Sequence, residues 1–307
     1  MSTPYEPPAQ NKPLALILLI STTFLFAVGD AIAKLAVTTL PPAQILFMRC
    51  IIVAGLTVPF VWWRSGAGAF RTHHPKTQVF RGIAILVSSL MFVNGLSYLP
   101  LADVSAINFI WPILITVFSV VILKEQVGLR RWAATLVGFA GMLLIIRPGT
   151  SAFQMAALFP IGAAVSWSMA AVVTRSMSAR DPAETTLVWT SLVMLAGASL
   201  LIPFYWRQPT PMEWLYMGLI GLISVAGHSI LVFAYERATA SFLAPFSYLQ
   251  LIWATTLGYL VFGTFPDPWI AAGAALIVAS GVYTVHRERV RYKERLRSEA
   301  ARAALSE

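Results

Sequence analysis

The chain has 307 residues, of which 58% are hydrophobic and only 11% charged, and its formal net charge is +9. A soluble domain of this length carries about a quarter charged residues, so this one cannot cover its surface with polar groups and lipid must be part of its solvent. The charge does not point to nucleic acid as a partner. The basic residues lie between apolar runs and in the tail, without a recognition motif, where a membrane protein uses them to set its orientation.

Residues 1–12, with Pro4, Pro7 and Pro8, form a disordered lead-in on the cytoplasmic side. Apolar stretches near the length needed to span a bilayer then run over 14–37, 43–63, 79–99, 102–123, 131–147, 155–177, 183–205, 212–236, 241–262 and 268–286. Pro41–Pro42, Pro100, Pro148–Gly149, Asp181–Pro182, Pro209–Pro211 and Pro266–Pro268 mark breaks between them. The first stretch, followed by Ala-Ile-Ala at 31–33, has the outline of a signal peptide. Asp30 and Lys34 flank that site, and the segment has a counterpart later in the chain, so it is read as a retained helix. Residues 287–307 form a basic cytoplasmic tail that anchors topology and contacts anionic lipid.

With the N-terminus inside, Lys12, Arg64, Arg71, Lys76, Arg81, Lys124, Arg130, Arg131, Arg175, Arg180, Arg237 and the tail all fall on the cytoplasmic side. The opposite side receives Lys34, Arg147 and Arg207. This asymmetry places both termini in the cytoplasm and favours an even number of spans.

Two of the segments close alike, with GMLLIIR at 141–147 and GVYTVHR at 281–287. A shift of 140 superposes them and puts Pro42–Ala43 on Pro182–Ala183; a shift of 141 puts Phe26 on Trp167 and Lys34 on Arg175; a shift of 138 puts 96–102 beside 234–240. Each half therefore holds five spans, an odd number, so the second half enters the membrane from the opposite side. The expected fold is an all-α membrane protein with ten transmembrane helices in two inverted-topology five-helix repeats, 13–149 and 150–286. In such proteins the substrate site lies near the midplane at the repeat interface.

The stretch SYLPLADVSAINFIWPILITVFSVVILKEQVGLRRWAATLVGFAGMLLIIRPG at 97–149 carries a family resemblance. Its Pro112, Glu125, Trp132, Gly138/Gly141 pair and closing Arg-Pro-Gly resemble the EamA module of the drug/metabolite transporter superfamily. The resemblance covers about residues 14–286 as two modules in tandem. It implies a ten-helix basket and export of small metabolites, commonly amino acids, and is closest in look to bacterial exporters of aromatic and hydrophobic amino acids. The second module departs from the pattern: Gln250 stands where a proline is expected, and FGTFPDPW at 262–269 lacks the glutamate.

Ionisable groups within the membrane are costly and mark candidate sites. Asp30 and Lys34 share a helix face at i, i+4, which predicts an ion pair at the outer end of the first helix, with a substrate or proton site at Asp30 as the functional reading. Arg49 is read as structural, and Glu125 as a partner for the loop at Arg130–Arg131. His228 is the intramembrane histidine and, with Asp30, the candidate for proton coupling. Ser105, Asn108, Trp111 and Pro112 fall on one face of the fourth span, and Phe246, Gln250 and Trp253 on one face of the ninth. With Trp167 in the sixth span, Phe26 in the first, and Asn94 and Tyr98 in the third, they make a candidate substrate pocket of apolar walls and sparse polar groups.

No nucleophile elbow, P-loop or dinucleotide fingerprint is present, the four histidines lack metalloprotease spacing, and the single Cys50 excludes an internal disulfide. No enzyme activity, cofactor or metal is expected. The function expected is an inner-membrane secondary transporter exporting small organic metabolites, with aromatic or hydrophobic amino acids favoured. Membrane lipid is its surround, and self-association is left open. The alternatives are efflux of multiple cationic drugs through a mid-membrane carboxylate and, less favoured, an intramembrane enzyme.

Overall fold

A computed structural model describes residues 11–124, 129–147, 155–177, 181–238 and 243–283, together with His286 and Val290. Among these the regular structure is helical: α1 (Lys12–Ala36), α2 (Pro42–Ser65), α3 (Pro75–Tyr98), α4 (Leu101–Asn108), α5 (Trp111–Leu123), α6 (Leu129–Ile146), α7 (Leu158–Met177), α8 (Ala183–Tyr205), α9 (Pro211–Arg237) and α10 (Leu249–Phe262), then α11 (Pro268–Tyr283). Seven segments are long and apolar enough to cross a membrane, counting α4 and α5 as one, and α6, α10 and α11 are shorter apolar helices. Glu125 and the basic tail lie outside the described residues.

Prolines set the helix starts. α1, α2, α3, α5 and α9 each carry one at the first or second position, where the missing N–H has no intrahelical acceptor anyway. α9 adds a capping box, in which the Thr210 hydroxyl accepts from the Glu213 N–H and the Glu213 carboxylate accepts from the Thr210 N–H at 2.7 Å. Pro59 in α2 and Pro203 in α8 are interior prolines near the ends of their helices.

The fourth stretch, expected as one helix, is two. Pro112 has no N–H to return to the Asn108 carbonyl. The chain instead makes tight turns, Ile110 N–H to Ile107 O at 3.2 Å and Ile113 N–H to Ile110 O at 3.0 Å, before α5 continues. The ninth stretch is irregular at the matching place, with a 3₁₀ segment at Ala244–Tyr248 ahead of α10. The two interruptions meet: the rings of Phe109 and Tyr248 lie 5.4 Å apart, in residues 139 positions apart in sequence. Leu96, Leu99, Leu101, Val104, Ile107 and Ile110, all buried, form the main core around the first of them.

Packing repeats under exchange of the halves. α1 lies along α9 as α7 lies along α3; α2 meets α9 as α8 meets α3; α1 meets α10 as α7 meets α5; and α2 packs on α8. α6 and α11 approach at glycines: a methyl on Gly141 would stand 2.7 Å from the Gly273 carbonyl oxygen, and one on Gly273 2.5 Å from that of Gly141.

Each end of the bundle is clamped across the halves. At one end Gln44 donates to the Arg207 carbonyl at 2.7 Å and accepts from the Arg207 N–H at 3.1 Å, while the Arg207 guanidinium pairs with Glu213. At the other, Asp181 accepts from Thr72, from the His73 N–H at 2.9 Å and from Gln78 at 2.9 Å.

Candidate functional site

α1 holds one carboxylate, Asp30, and packs on α9 along one side and α10 along another. Its successive faces therefore present Phe24 edge-on to Trp253 at 5.4 Å, Phe26 to the His228 ring at 4.9 Å, and Asp30 to Gln250, whose Nε2 donates to Oδ2 at 3.3 Å. Gly227 makes room for Phe26, since a methyl there would stand 2.6 Å from the ring. The Nδ1 of His228 lies 2.7 Å from the Ser224 carbonyl oxygen, and the residue as a whole is exposed. The Nε1–H of Trp253 is buried and finds no acceptor among the described residues, a state that a polar partner would relieve.

Lys34 departs from the expectation of an ion pair with Asp30. Its ammonium donates to the Leu96 and Leu99 carbonyls at 2.5 and 2.8 Å, and among the described residues no ion pair joins it to Asp30. These carbonyls belong to the end of α3, where the last turn lacks intrahelical donors and the helix dipole favours a cation. A helix terminus from elsewhere in the fold thus wins over the neighbour one turn away, a competition that spacing alone does not reveal.

The other candidates are distributed as follows. Asn108 ends α4 and Trp111 begins α5, both half-buried, and the Trp111 carbonyl accepts from the Ser168 hydroxyl of α7 at 3.0 Å. Trp167 is beside Ser168 on α7 and 40% exposed. Asn94 donates to the Leu90 carbonyl of its own helix at 2.7 Å. Tyr98 is 64% exposed at the end of α3 and stacks on Phe159 at 5.6 Å. Phe26, Asp30, His228, Gln250 and Trp253 thus form one group around α1. Asn108 and Trp111 form a second, against α7. Gln250 and Trp253, one turn apart in α10, meet Asp30 and Phe24 of α1.

Arg49, read from sequence as structural, is the side chain that this geometry adds. Its Nη2 donates to the Ser89 hydroxyl of α3 at 3.4 Å, and it stands within electrostatic reach of both Asp30 and His228. The sequence signal was available: an arginine in an apolar run with no acidic residue three or four positions away. A shallow apolar groove lined by Ala140, Leu143, Leu144, Arg147 and Trp269 is separate from both groups, and its Arg147 is paired with Asp267 at 3.0 Å.

The chain is similar to transporters over most of its length. It is 26% identical over 266 residues, 86% of this chain and 89% of the relative, to an S-adenosylmethionine uptake transporter of Rickettsia prowazekii. It is 30% identical over 250 residues to a riboflavin transporter of Rhizobium johnstonii, covering 81% of this chain and 82% of that one. It is 27% identical over 271 residues to the pseudopaline exporter CntI of Pseudomonas aeruginosa, covering 86% and 93%. A crystal structure with 21% sequence identity shares the fold at a TM-score of 0.62, over 92% of this chain and all of the other. The model of the EamA-like transporter family matches residues 13–147 and again 154–285. The protein is therefore a multi-pass membrane protein of the EamA-like transporter family, made of two EamA modules in tandem.

Proposed function

We propose that this protein is a secondary transporter of the bacterial inner membrane that exports small organic metabolites, amino acids with aromatic or hydrophobic side chains foremost. It would do so through two inverted five-span repeats with both termini in the cytoplasm. The observation that carries this reading is the meeting of Phe109 and Tyr248. Interrupted spans from opposite halves, in contact at the repeat interface, are where inverted-repeat transporters build their substrate sites. The exchange symmetry of the helix packing supports the inverted repeat, and the alternation of Lys and Arg between loops supports the orientation.

The relatives include both an uptake transporter and an exporter, and their cargoes are as different as S-adenosylmethionine, riboflavin and pseudopaline. The preference for amino acids rests instead on the site: aromatic surfaces at Phe26, Trp253 and Trp111, amides at Gln250 and Asn108, and a carboxylate at Asp30. Asp30 and His228 are the residues assigned to proton coupling. Since Lys34 is engaged at α3, Asp30 is open to a cationic cargo as well, but Arg49 nearby argues against one that carries only positive charge.

The direct test compares intracellular and extracellular metabolite pools in cells lacking and overproducing the protein, followed by uptake of the affected solutes into everted membrane vesicles. Export is supported when overproduction depletes a small metabolite inside and enriches it outside. Pools identical in both strains, with no vesicle uptake, count against the reading.

A further inference from the structure

Asp30 and Arg49, an acid and a base, stand on consecutive helices at one depth. Asp30 sits six residues before the end of α1 at Ala36, and Arg49 seven after the start of α2 at Pro42, roughly 9 and 10 Å of helix rise. Yet they have not closed on each other: among the described residues no ion pair joins them. Each is held by one long hydrogen bond to a third helix, Asp30 by Gln250 of α10 at 3.3 Å and Arg49 by Ser89 of α3 at 3.4 Å. The helices explain the gap. α1 and α2 both pack along α9 rather than along one another, with Gly227 admitting Phe26 and Gly221 admitting Ile52, so α9 holds them apart like a spacer.

A charge inside a membrane bundle is expensive unless it is paired and hydrogen-bonded. Two opposite charges kept apart by packing, each with only a weak neutral partner, present an incomplete pair that a ligand with both signs would complete. A lone cation would satisfy Asp30 and leave Arg49 unmatched, and a lone anion would do the reverse. An arginine in this position also offers a planar fork that receives a carboxylate in two-point fashion. The aromatic neighbours Phe26 and Trp253 supply a surface for an apolar side chain and, for Asp30's guest, faces that attract an ammonium.

We infer that Asp30 and Arg49 are the two ends of a clamp for zwitterions, Asp30 receiving the ammonium and Arg49 the carboxylate of an α-amino-acid-type head group. This rests on the transporter reading above and assigns the two residues that would select its substrate class. It also turns Arg49 from a structural residue into one that determines specificity.

The test uses the full-length protein in liposomes, with radiolabelled L-tryptophan, L-phenylalanine and L-leucine as probes. Tryptamine (the amine alone), indole-3-propionate (the acid alone) and riboflavin, which has no zwitterionic head, compete or are offered in their place. Wild type is expected to carry at least one zwitterion and to prefer L-tryptophan over tryptamine and over indole-3-propionate at least tenfold in competition. Arg49→Gln should erase the preference over the amine while keeping the preference over the acid. Asp30→Asn should do the opposite, and Arg49→Lys should restore part of what Arg49→Gln loses. A purely structural arginine would lower all three ligands together, so the crossed change in selectivity is the diagnostic readout. Size-exclusion profiles and melting temperatures identify variants that fail to fold, in which case Arg49→Lys and Asp30→Glu carry the comparison. An Arg49→Gln protein that is folded and keeps its full preference for the zwitterion overturns the clamp. So does wild type that carries riboflavin but no zwitterion, an outcome that leaves the transporter reading standing. Transport of none of the probes or competitors removes both.

Discussion

Phe109 and Tyr248 occupy the same place in the two halves and touch each other, their rings 5.4 Å apart and inclined at 35°. The Tyr248 ring also presses on α11, where a methyl added at Gly281 would stand 2.4 Å from its Cζ. Gly281→Ala is therefore expected to lower the melting temperature in detergent, and replacing Tyr248 with Leu in the same protein should recover part of the loss. Overpacking of this kind costs about 1–3 kcal/mol. Additive losses in the double variant would mean that the two residues do not collide.

The two clamps should lie on opposite sides of the membrane. Lys76 follows the segment that binds Asp181, and Arg207 binds Gln44 at the far end. Alkaline phosphatase and fluorescent-protein fusions at Lys76 and Arg207 are expected to report cytoplasm and exterior respectively. Two fusions reporting one compartment would show the span count to be wrong.

Acid should loosen the clamp at Asp181. Burial on its own would push the Asp181 carboxyl up, but the bonds from Thr72, the His73 N–H and Gln78 outweigh it and bring the pKa down to about 2 from an ordinary 3.8. A carboxylate depressed on folding adds stability that is complete above its unfolded value and disappears as pH falls through the folded one. The wild-type melting temperature should accordingly have an Asp181 component that declines between about pH 4 and pH 2. In Asp181→Asn the protein should melt lower at pH 7, and that component should vanish. An Asn variant with the wild-type acid profile would show that Asp181 contributes nothing to it.

Lys34 closes the end of α3. Its removal as Lys34→Met leaves the Leu96 and Leu99 carbonyls without their cation, at a cost of about 1.5–3 kcal/mol for a charged hydrogen bond. Lys34→Arg should retain most of it. The readout is thermal stability together with hydrogen exchange in α3, whose last turn should exchange faster in Lys34→Met alone. Unchanged exchange there would place the ammonium elsewhere.

If the aromatic surfaces line the substrate site as proposed, their removal should weaken binding. Trp253→Ala and Trp111→Ala would each remove a wall worth about 1–3 kcal/mol to a bound side chain, which corresponds to a roughly 5- to 150-fold rise in half-saturation. Gln250→Ala is a smaller change and should weaken transport while leaving the melting temperature close to wild type. Four stable variants, Trp167→Ala among them, with unaltered transport would return these residues to packing.

Some helix ends were legible in the chain because prolines mark them: Pro42 and Pro211 each stand at a helix start, whereas the third span, expected from 79, already begins at Pro75. The interruption at Phe109–Ile110 was half legible. Pro112 announces it, but an apolar run shows no change of period when a helix stops and restarts within it. Tyr248 was less visible still, since Gln250 stands where the second module should repeat the proline, and the irregularity there follows Pro245 instead. The role of Lys34 was not legible, and the apolar run around Arg49 marks an unusual charge without showing what it meets. Both depend on which helix ends and which hydroxyls the fold carries to them, and a one-dimensional pattern records only neighbours three or four residues away.

The contact between Gly141 and Gly273 has a mechanical consequence. Where two backbones touch with no side chain between them, neither helix can slide by a residue without driving a Cβ, such as that of Leu276, into the other's carbonyl row. α6 and α11 are thereby locked in register and behave as one body. Any motion that lets cargo through carries the two together, and the sliding between helices must be taken up elsewhere in the bundle.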